Sequence, residues 1–108
     1  MDIHLQEKLR LLKVDVLSFL HVLAVSESIA LDLNEISNST STPETDLKGI
    51  ISTVRRMKLA DEPLIVPAGR DESGRLRWQI NANVVEKREL AIFLEKIIGS
   101  DYKNKRVL

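Results

Sequence analysis

The chain has 108 residues, of which 44% are hydrophobic and 30% charged, a composition typical of one folded domain, which excludes a disordered protein. Sixteen basic and sixteen acidic residues cancel, which disfavours a strong non-specific polyanion binder but permits a local basic surface. The absence of cysteine excludes disulfides and thiolate metal sites. Because no apolar run reaches the roughly 18 residues of a membrane span, we expect no membrane insertion and a cytoplasmic location, or a nuclear one in a eukaryote.

The N-terminal segment Asp2–Val25 predicts one long helix, because its apolar residues recur every three or four positions. The stripe comprises Leu5, Leu9, Leu12, Val16, Leu20 and Leu23. Leu11, Leu17 and Phe19 widen this stripe, so we expect the middle of the helix to be buried on more than one side. After a polar break, Ile29–Leu31 is expected to form a short strand.

A short helix is predicted next, over Leu33–Asn38, with Asp32 or Asn34 as its N-cap. The small polar residues of Ser37–Thr42 follow it. Such a run is also typical of a flexible linker, but strong helical periodicity lies on its far side. We therefore expect a turn between two helices.

The longer helix begins at Pro43, with Thr42 as N-cap and Glu44 placing a negative charge in the first turn. It is predicted to end near Leu59, before a loop over Ala60–Pro63. Its core-facing residues are spaced as one face of a helix. They are Leu47, Ile50, Ile51, Val54 and Met57.

Two strands follow, Leu64–Ala68 and Leu76–Ile80, joined by a loop with good turn residues at Asp71–Gly74. In the second strand, apolar and polar residues alternate, which is typical of a half-buried strand. In the first, Leu64 and Val66 are expected to point inward. We expect the turn glycine to adopt a positive φ.

A last helix is predicted over Val84–Ile98, with Asn83 as N-cap and Gly99 as its stop. These boundaries give one domain over residues 1–99 and a basic tail over residues 100–108. The helix carries a stripe of five large apolar residues. They are Leu90, Phe93, Leu94, Ile97 and Ile98.

This stripe either completes the core or pairs with the same helix of a second subunit. One small subunit also has to cover the broad apolar band of the first helix. We therefore predict a homodimer through the first and last helices, with these five residues as dimerisation residues.

The order helix, turn, helix, strand, loop, strand resembles the winged helix-turn-helix superfamily over about Leu5–Ile98. The resemblance implies an α+β, mainly helical fold with a three-helix core, a two-stranded wing and an extra C-terminal helix. It also implies a small regulator, or a plasmid or phage accessory factor, that binds double-stranded DNA at specific sequences, because the second helix of the pair enters the major groove.

Hydroxyls near the turn, together with cations on the longer helix and in the hairpin, are the predicted DNA contacts. They are Ser39, Thr40, Ser41, Thr42, Thr45, Lys48, Arg55, Arg56, Arg70, Arg75 and Arg77. Glu44 and Asp46 oppose this hypothesis, because both lie in the first turn, where they would repel a phosphate. Helix-dipole compensation is the simpler explanation of these two acids.

Catalysis is poorly supported by the sequence. His4 and His21 lie far apart and have no carboxylate pattern around them. The sequence contains no Gly-rich phosphate loop, no Ser/His/Asp arrangement and no metal-ligand spacing. We therefore predict that the protein is not an enzyme and needs neither a cofactor nor a metal.

A second resemblance gives the alternative function. The run Glu35–Thr40, followed by Glu44–Leu47 and Ile51, resembles the winged-helix segment in the C-terminal half of cullins. That resemblance implies a non-enzymatic scaffold that binds a RING subunit of a ubiquitin ligase and contacts no DNA. It also implies a strand over Lys87–Leu94, where the apolar stripe indicates a helix.

Overall fold

The computed structural model describes the backbone of residues 1–107 and the side chains of residues 1–99. Five helices and five short strands make up the described chain. In chain order they are α1 (Ile3–Arg10), α2 (Val14–Val25), β1 (Leu31–Asp32), α3 (Leu33–Thr40), α4 (Glu44–Arg56), β2 (Lys58–Leu59), β3 (Glu62–Pro63), β4 (Ile65–Arg70), β5 (Leu76–Ile80) and α5 (Lys87–Val107). The predicted α+β winged-helix order is confirmed.

The N-terminal helix is broken in two, so the prediction of one helix over Asp2–Val25 is wrong. Leu11 and Leu12 donate backbone hydrogen bonds three residues back, which closes the last turn of α1. Lys13 then takes an extended ψ of 157° before α2 begins. Neither glycine nor proline marks this break, so the apolar periodicity continues straight through it.

The break changes which apolar residues are buried. Leu17 and Phe19 lie in the core as expected, and so do most members of the predicted stripe. Leu11, which was expected to widen that stripe, is 86% exposed, because it sits at the bend between the two helices.

The capping of α3 follows the prediction. The Asp32 carboxylate accepts a hydrogen bond from the Glu35 backbone N–H (2.9 Å), and the Glu35 carboxylate accepts one from the Asp32 N–H (3.1 Å). This reciprocal pair is a capping box. The helix runs two residues further than predicted, and Ser41, in the left-handed region with φ 57°, ends it.

The N-terminus of α4 differs from the prediction by one position. Pro43 itself is the N-cap, and the Thr42 hydroxyl donates to the Thr40 carbonyl (3.4 Å) instead of capping the helix. The helix ends at Arg56, earlier than predicted. The expected loop over Ala60–Pro63 is part of a small hairpin, in which β2 pairs antiparallel with β3.

The wing is an antiparallel sheet with strand order β1-β5-β4. Trp78 and Ile80 face the core as predicted. Ile65 pairs with Ile80 and is buried, whereas Val66 pairs with Gln79 and is only half-buried. Because successive residues point to opposite faces, the prediction that Val66 points inward is wrong by one residue.

The predicted first strand and wing turn are both present. Leu31 in β1 pairs with Trp78 in β5, so the strand expected at Ile29–Leu31 begins two residues later and ends one residue later. Gly74 has φ +80° in the turn, as predicted. Gly69 also has φ +80°, and the pairing of β4 with β5 shifts register beside it.

The last helix begins later and continues further than predicted. The Asn81 side chain accepts from the Asn83 N–H (3.0 Å), and the Asn81 carbonyl accepts from two further N–H groups, so a turn occupies the expected first turn of the helix. Gly99 does not end α5, which runs to Val107. Leu108 and the basic side chains of the predicted tail lie outside the described residues.

The apolar stripe of α5 mostly belongs to the core. Leu90 and Leu94 are fully buried and Ile97 is 7% exposed, since α2 packs against α5. One subunit therefore already covers these three residues, which were predicted to need a second subunit. Phe93 and Ile98 are half-buried at the edge of the same core. The helix also contradicts the strand that the cullin resemblance implies at Lys87–Leu94.

Candidate nucleic-acid interface

The helix α4 has one buried and one exposed face. Its predicted apolar residues, apart from Met57 beyond its end, are buried. Thr45, Ser52 and Arg56 lie on the opposite side of the helix, at steps of seven and four residues, and all three are exposed. Ser52 is absent from the predicted contacts, although its helical spacing from Thr45 could have identified it.

An ion pair joins the first turn of α4 to the wing. Glu44 Oε1 lies 3.3 Å from Arg75 Nη1, and both side chains are partly exposed. Lys48, one turn further along α4, lines the same cleft as these two residues. The pair brings the wing cation beside the start of the helix, and it offsets one of the two acids that opposed DNA binding.

A second contact between α4 and the wing is a cation–π pair. The Arg55 guanidinium lies over the Trp78 ring, 5.5 Å from its centroid, and Trp78 is 6% exposed. A buried ring fixes the position of the cation above it. Arg55 therefore lies on the side of α4 that faces the wing, whereas Arg56 faces outward.

The three wing arginines occupy two different surfaces. Arg70 Nη1 donates to the Gly74 carbonyl (2.8 Å) at the wing turn, near Arg75. Arg77 lies on the opposite face of β5 from Trp78, half-buried, and its Nη2 donates to the Ala68 carbonyl (3.4 Å). The structure therefore separates Arg77 from the surface formed by α4 and the wing tip.

The hydroxyl side chains around the turn between α3 and α4 also lie on more than one surface. The Thr40 hydroxyl donates to the Ile36 carbonyl (2.8 Å), which leaves it less able to donate elsewhere. Ser39 and Thr40 line a cleft against α2 and α5, beside the His21–Glu95 pair (3.2 Å). Ser41 is exposed at the turn itself.

Basic side chains that sequence analysis did not select lie near the C-terminal end of α4. Lys58 shares a surface depression with Ser52, Arg55 and Arg56. The Lys8 ammonium donates to the Lys58 carbonyl (2.7 Å), which adds a cation from α1. These residues are distant in sequence, so only the fold brings Lys8 to this end of the helix.

Two carboxyl groups meet where the wing turn approaches the start of α3. Burial, together with a hydrogen bond to Asp71, raises the pKa of Asp32 above its ordinary 3.8. The same hydrogen bond, followed by one from the Arg75 backbone N–H, lowers the pKa of Asp71 to about 2. The interaction between these two carboxyl groups joins the wing turn to the cap of α3.

The described residues form neither a metal cluster nor a membrane-spanning helix. The described part of the chain contains no cluster of three or more His, Asp or Glu side chains arranged to hold a metal ion. Among the helices of this part, none combines the length and hydropathy that crossing a membrane requires.

No protein-family model and no curated protein matches the chain. Among solved structures, the crystal structure of NadR in complex with 4-hydroxyphenylacetate is similar, with a TM-score of 0.60 at 16% sequence identity. The match covers 94% of this chain and 65% of the NadR chain, so the present chain spans about 65% of the length of that protein. The similarity shows that the two proteins share a winged-helix fold.

Proposed function

We propose that the protein is a sequence-specific binder of double-stranded DNA, a small dimeric transcriptional regulator or a plasmid or phage accessory factor. In this proposal α4 is the recognition helix, whose N-terminal half enters the major groove, and the wing tip contacts the neighbouring phosphates. No catalytic step, cofactor or metal is part of the proposal.

The observation that carries the proposal is the ion pair of 3.3 Å between Glu44 and Arg75. At this pair the wing lies beside the first turn of α4, and Lys48 and Arg75 line one continuous surface. Thr45, which follows Glu44, is exposed on the side of α4 opposite the core. Hydroxyls and cations on one helix face, with a basic loop alongside, are the groups that bind phosphates and base edges.

The two acids of the first turn do not exclude this function. Glu44 is offset by Arg75, and a glutamate can accept a hydrogen bond from a cytosine amino group. Asp46 lies further from the wing, in a depression that it lines with Thr45 and Lys13 at the bend between α1 and α2. Lys13 supplies a positive charge on that side of α4.

The proposed contacts are the exposed members of the predicted set at the turn before α4, on α4 and at the wing tip, with Ser52 and Lys58 added. They are Ser41, Thr45, Lys48, Ser52, Arg55, Arg56, Lys58, Arg70 and Arg75. Four other predicted contacts have a supporting role in this proposal, because they bond to neighbouring backbone or lie on other faces. They are Ser39, Thr40, Thr42 and Arg77.

The dimer remains part of the proposal, with a different contact surface. Arg10 lies over the Phe93 ring at 5.2 Å, and the Met1 ammonium lies 3.6 Å from Glu89, so α1 packs beside α5. On these two helices Ile3 is 64% exposed and Ile92 is 47% exposed. We propose that these isoleucines, with the half-buried Phe93, meet their counterparts around a two-fold axis.

A titration of the protein against mixed-sequence duplex DNA, followed by fluorescence anisotropy at low and at moderate salt, tests the proposal. We expect binding at low salt that weakens as salt rises, because each phosphate contact displaces counterions. Binding that is absent at both salt concentrations, or that does not depend on salt, would contradict DNA binding.

A further inference from the structure

The exposed face of α4 has a glycine at its centre. Gly49 lies four residues after Thr45 and three before Ser52, so all three positions are on the same side of the helix. The helix runs without interruption from Glu44 to Arg56, and Gly49 does not have a positive φ. The backbone conformation at this position is therefore one that any residue adopts.

Packing within the subunit does not require glycine at this position either. A methyl group at Gly49 would meet no heavy atom of the described residues within 4 Å, apart from its chain neighbours and the backbone of α4 itself. Gly49 is exposed, and it borders the depression at the bend between α1 and α2. A glycine inside a helix loses more backbone entropy on folding than alanine does. Gly49 thus destabilises α4 and gives the subunit neither a close contact nor a special conformation in return.

The side chains around Gly49 indicate what approaches this face. The exposed groups beside it are the hydroxyls of Thr45 and Ser52 and the guanidinium of Arg56. The Thr53 hydroxyl, also exposed, donates to the Gly49 carbonyl (3.1 Å). Hydroxyl and guanidinium groups bind phosphates and base edges, and a glycine among them lets a ligand come close to the helix backbone. This face is therefore suited to close approach by nucleic acid.

We propose that Gly49 is the point of closest approach between α4 and DNA, and that it positions the helix in the major groove. This inference rests on the proposed function. A side chain at position 49 holds α4 away from the base edges, beyond the reach of the short Thr45 and Ser52 side chains. The longer cations of the wing still reach phosphates when the helix lies further out. Gly49 therefore controls the reading of bases more than the binding of the DNA backbone.

Two substitutions of Gly49, tested on two kinds of DNA, examine this role. The specific probe is a duplex that the wild-type protein selects from a random-sequence library, and the non-specific probe is mixed-sequence duplex. In anisotropy titrations, Gly49→Ala should bind the selected duplex at least about fivefold more weakly, since base contacts are lost, and mixed-sequence DNA with a much smaller change. Gly49→Leu, with its larger side chain, should lose more affinity for the selected duplex.

Thermal melts separate the positioning role from a role in folding. Alanine and leucine are better helix formers than glycine, so both variants should melt higher than the wild type, by up to about 5 °C for alanine. The matched control is Gly99→Ala in α5, where a methyl group also meets no heavy atom of the described residues within 4 Å. It should raise the melting temperature in the same way and leave both DNA affinities unchanged.

Three results would overturn the positioning role. The first is wild-type affinity for the selected duplex in both Gly49 variants. The second is a lower melting temperature in both, because Gly49 would then serve the folded subunit. The third is an equal loss of affinity on the two kinds of DNA, because base reading would then not depend on Gly49.

The same titrations distinguish failure of this inference from failure of the proposed function. If the wild-type protein binds neither duplex, or selects none from the library, the proposed function has failed and the role of Gly49 fails with it. If the wild type binds its selected duplex and Gly49→Leu binds it equally well, sequence-specific DNA binding stands and only the inference about Gly49 is refuted.

Discussion

Glu44 Oε1 and Arg75 Nη1 lie 3.3 Å apart, and this contact joins the recognition helix proposed here to the wing. The two side chains are 40% and 48% exposed, so water screens the pair and its contribution to folding stability is small. Its importance is positional, because it holds a cation next to a carboxylate on the surface that we propose faces DNA.

Removal of the Glu44 charge should strengthen DNA binding. In Glu44→Gln, Arg75 is free to contact a phosphate and a negative charge leaves the interface. We expect affinity for mixed-sequence DNA to rise several-fold and the salt dependence to steepen by up to about one phosphate contact, measured by anisotropy. Glu86→Gln, an exposed acid before α5, is the control and should behave like the wild type. A loss of affinity would instead indicate that Glu44 contacts a base.

Replacement of the two wing-tip arginines should weaken DNA binding without sequence preference. We expect Arg70→Ala with Arg75→Ala to reduce affinity for all duplexes alike and to flatten the salt slope by up to about two contacts. The melting temperature should hardly change, because exposed wing side chains contribute little to folding. If the affinity of this double variant equals that of the wild type, the wing has a structural role alone.

Replacement of Arg77, in contrast, should lower stability and leave DNA binding unchanged. It is half-buried on the other face of β5, where its guanidinium donates to the Ala68 carbonyl. Arg77→Ala should therefore lower the melting temperature and leave the DNA affinity of the folded protein near the wild-type value. Thermal melts and anisotropy titrations of the same preparation compare the two effects. A stable variant with weakened DNA binding would indicate that Arg77 contacts DNA.

The proposed dimer should depend on exposed isoleucines of α1 and α5. Ile3→Asp with Ile92→Asp should give folded monomers, because both positions are exposed within one subunit but would bury charge in a dimer. Ile29→Asp, at a position 80% exposed near the wing, is the control and should leave the mass unchanged. Sedimentation at micromolar concentration measures all three proteins. A wild-type protein that sediments as a monomer at every concentration would refute the dimer.

Because Asp32 and Asp71 interact, the substitution Asp32→Asn should change the melting temperature by an amount that depends on pH. The pKa of Asp32 is raised above 3.8, so the stability that its proton provides is present below that pH and is lost as pH rises through the raised pKa. Asparagine caps helices as well as aspartate does and stays neutral. We expect the variant to melt higher than the wild type at pH 7, and the difference to shrink towards pH 4.

The contribution of Asp71 to folding stability changes with pH in the opposite direction. Its pKa is lowered to about 2, so the stability that its charge provides is present above pH 3.8 and is lost as pH falls towards 2. The comparison of the Asp32→Asn variant with the wild type should therefore be made above pH 4. Equal melting temperatures of the two proteins at pH 7 would show that the buried Asp32 charge costs no stability.

The sequence predicted the order of the elements because the apolar spacing of each helix and strand is local. It could not predict the break before Lys13, since the apolar repeat runs through it and neither glycine nor proline marks it. It also assigned Val66 in place of Ile65 to the core, because Leu64, Ile65 and Val66 are all apolar and the pairing with β5 alone fixes the register.

The candidate site was predicted less completely than the fold. Lys48 and Arg75 were selected by residue type and line one cleft. Arg77 has the same residue type as Arg75 but lies on another face, which strand pairing alone decides. Leu94 and Ile97 were assigned to a dimer contact because the sequence does not reveal how much of α5 is covered by α2.

The most direct test of the central claim is the DNA affinity of Lys48→Glu beside that of Arg88→Glu. Both variants reverse one exposed positive charge, but Lys48 lies on the proposed recognition surface of α4 and Arg88 lies on α5. Anisotropy at low salt should show binding abolished in Lys48→Glu and changed little in Arg88→Glu, with cooperative melts for both proteins. Wild-type affinity in a folded Lys48→Glu variant would contradict the assignment of α4 as the recognition helix.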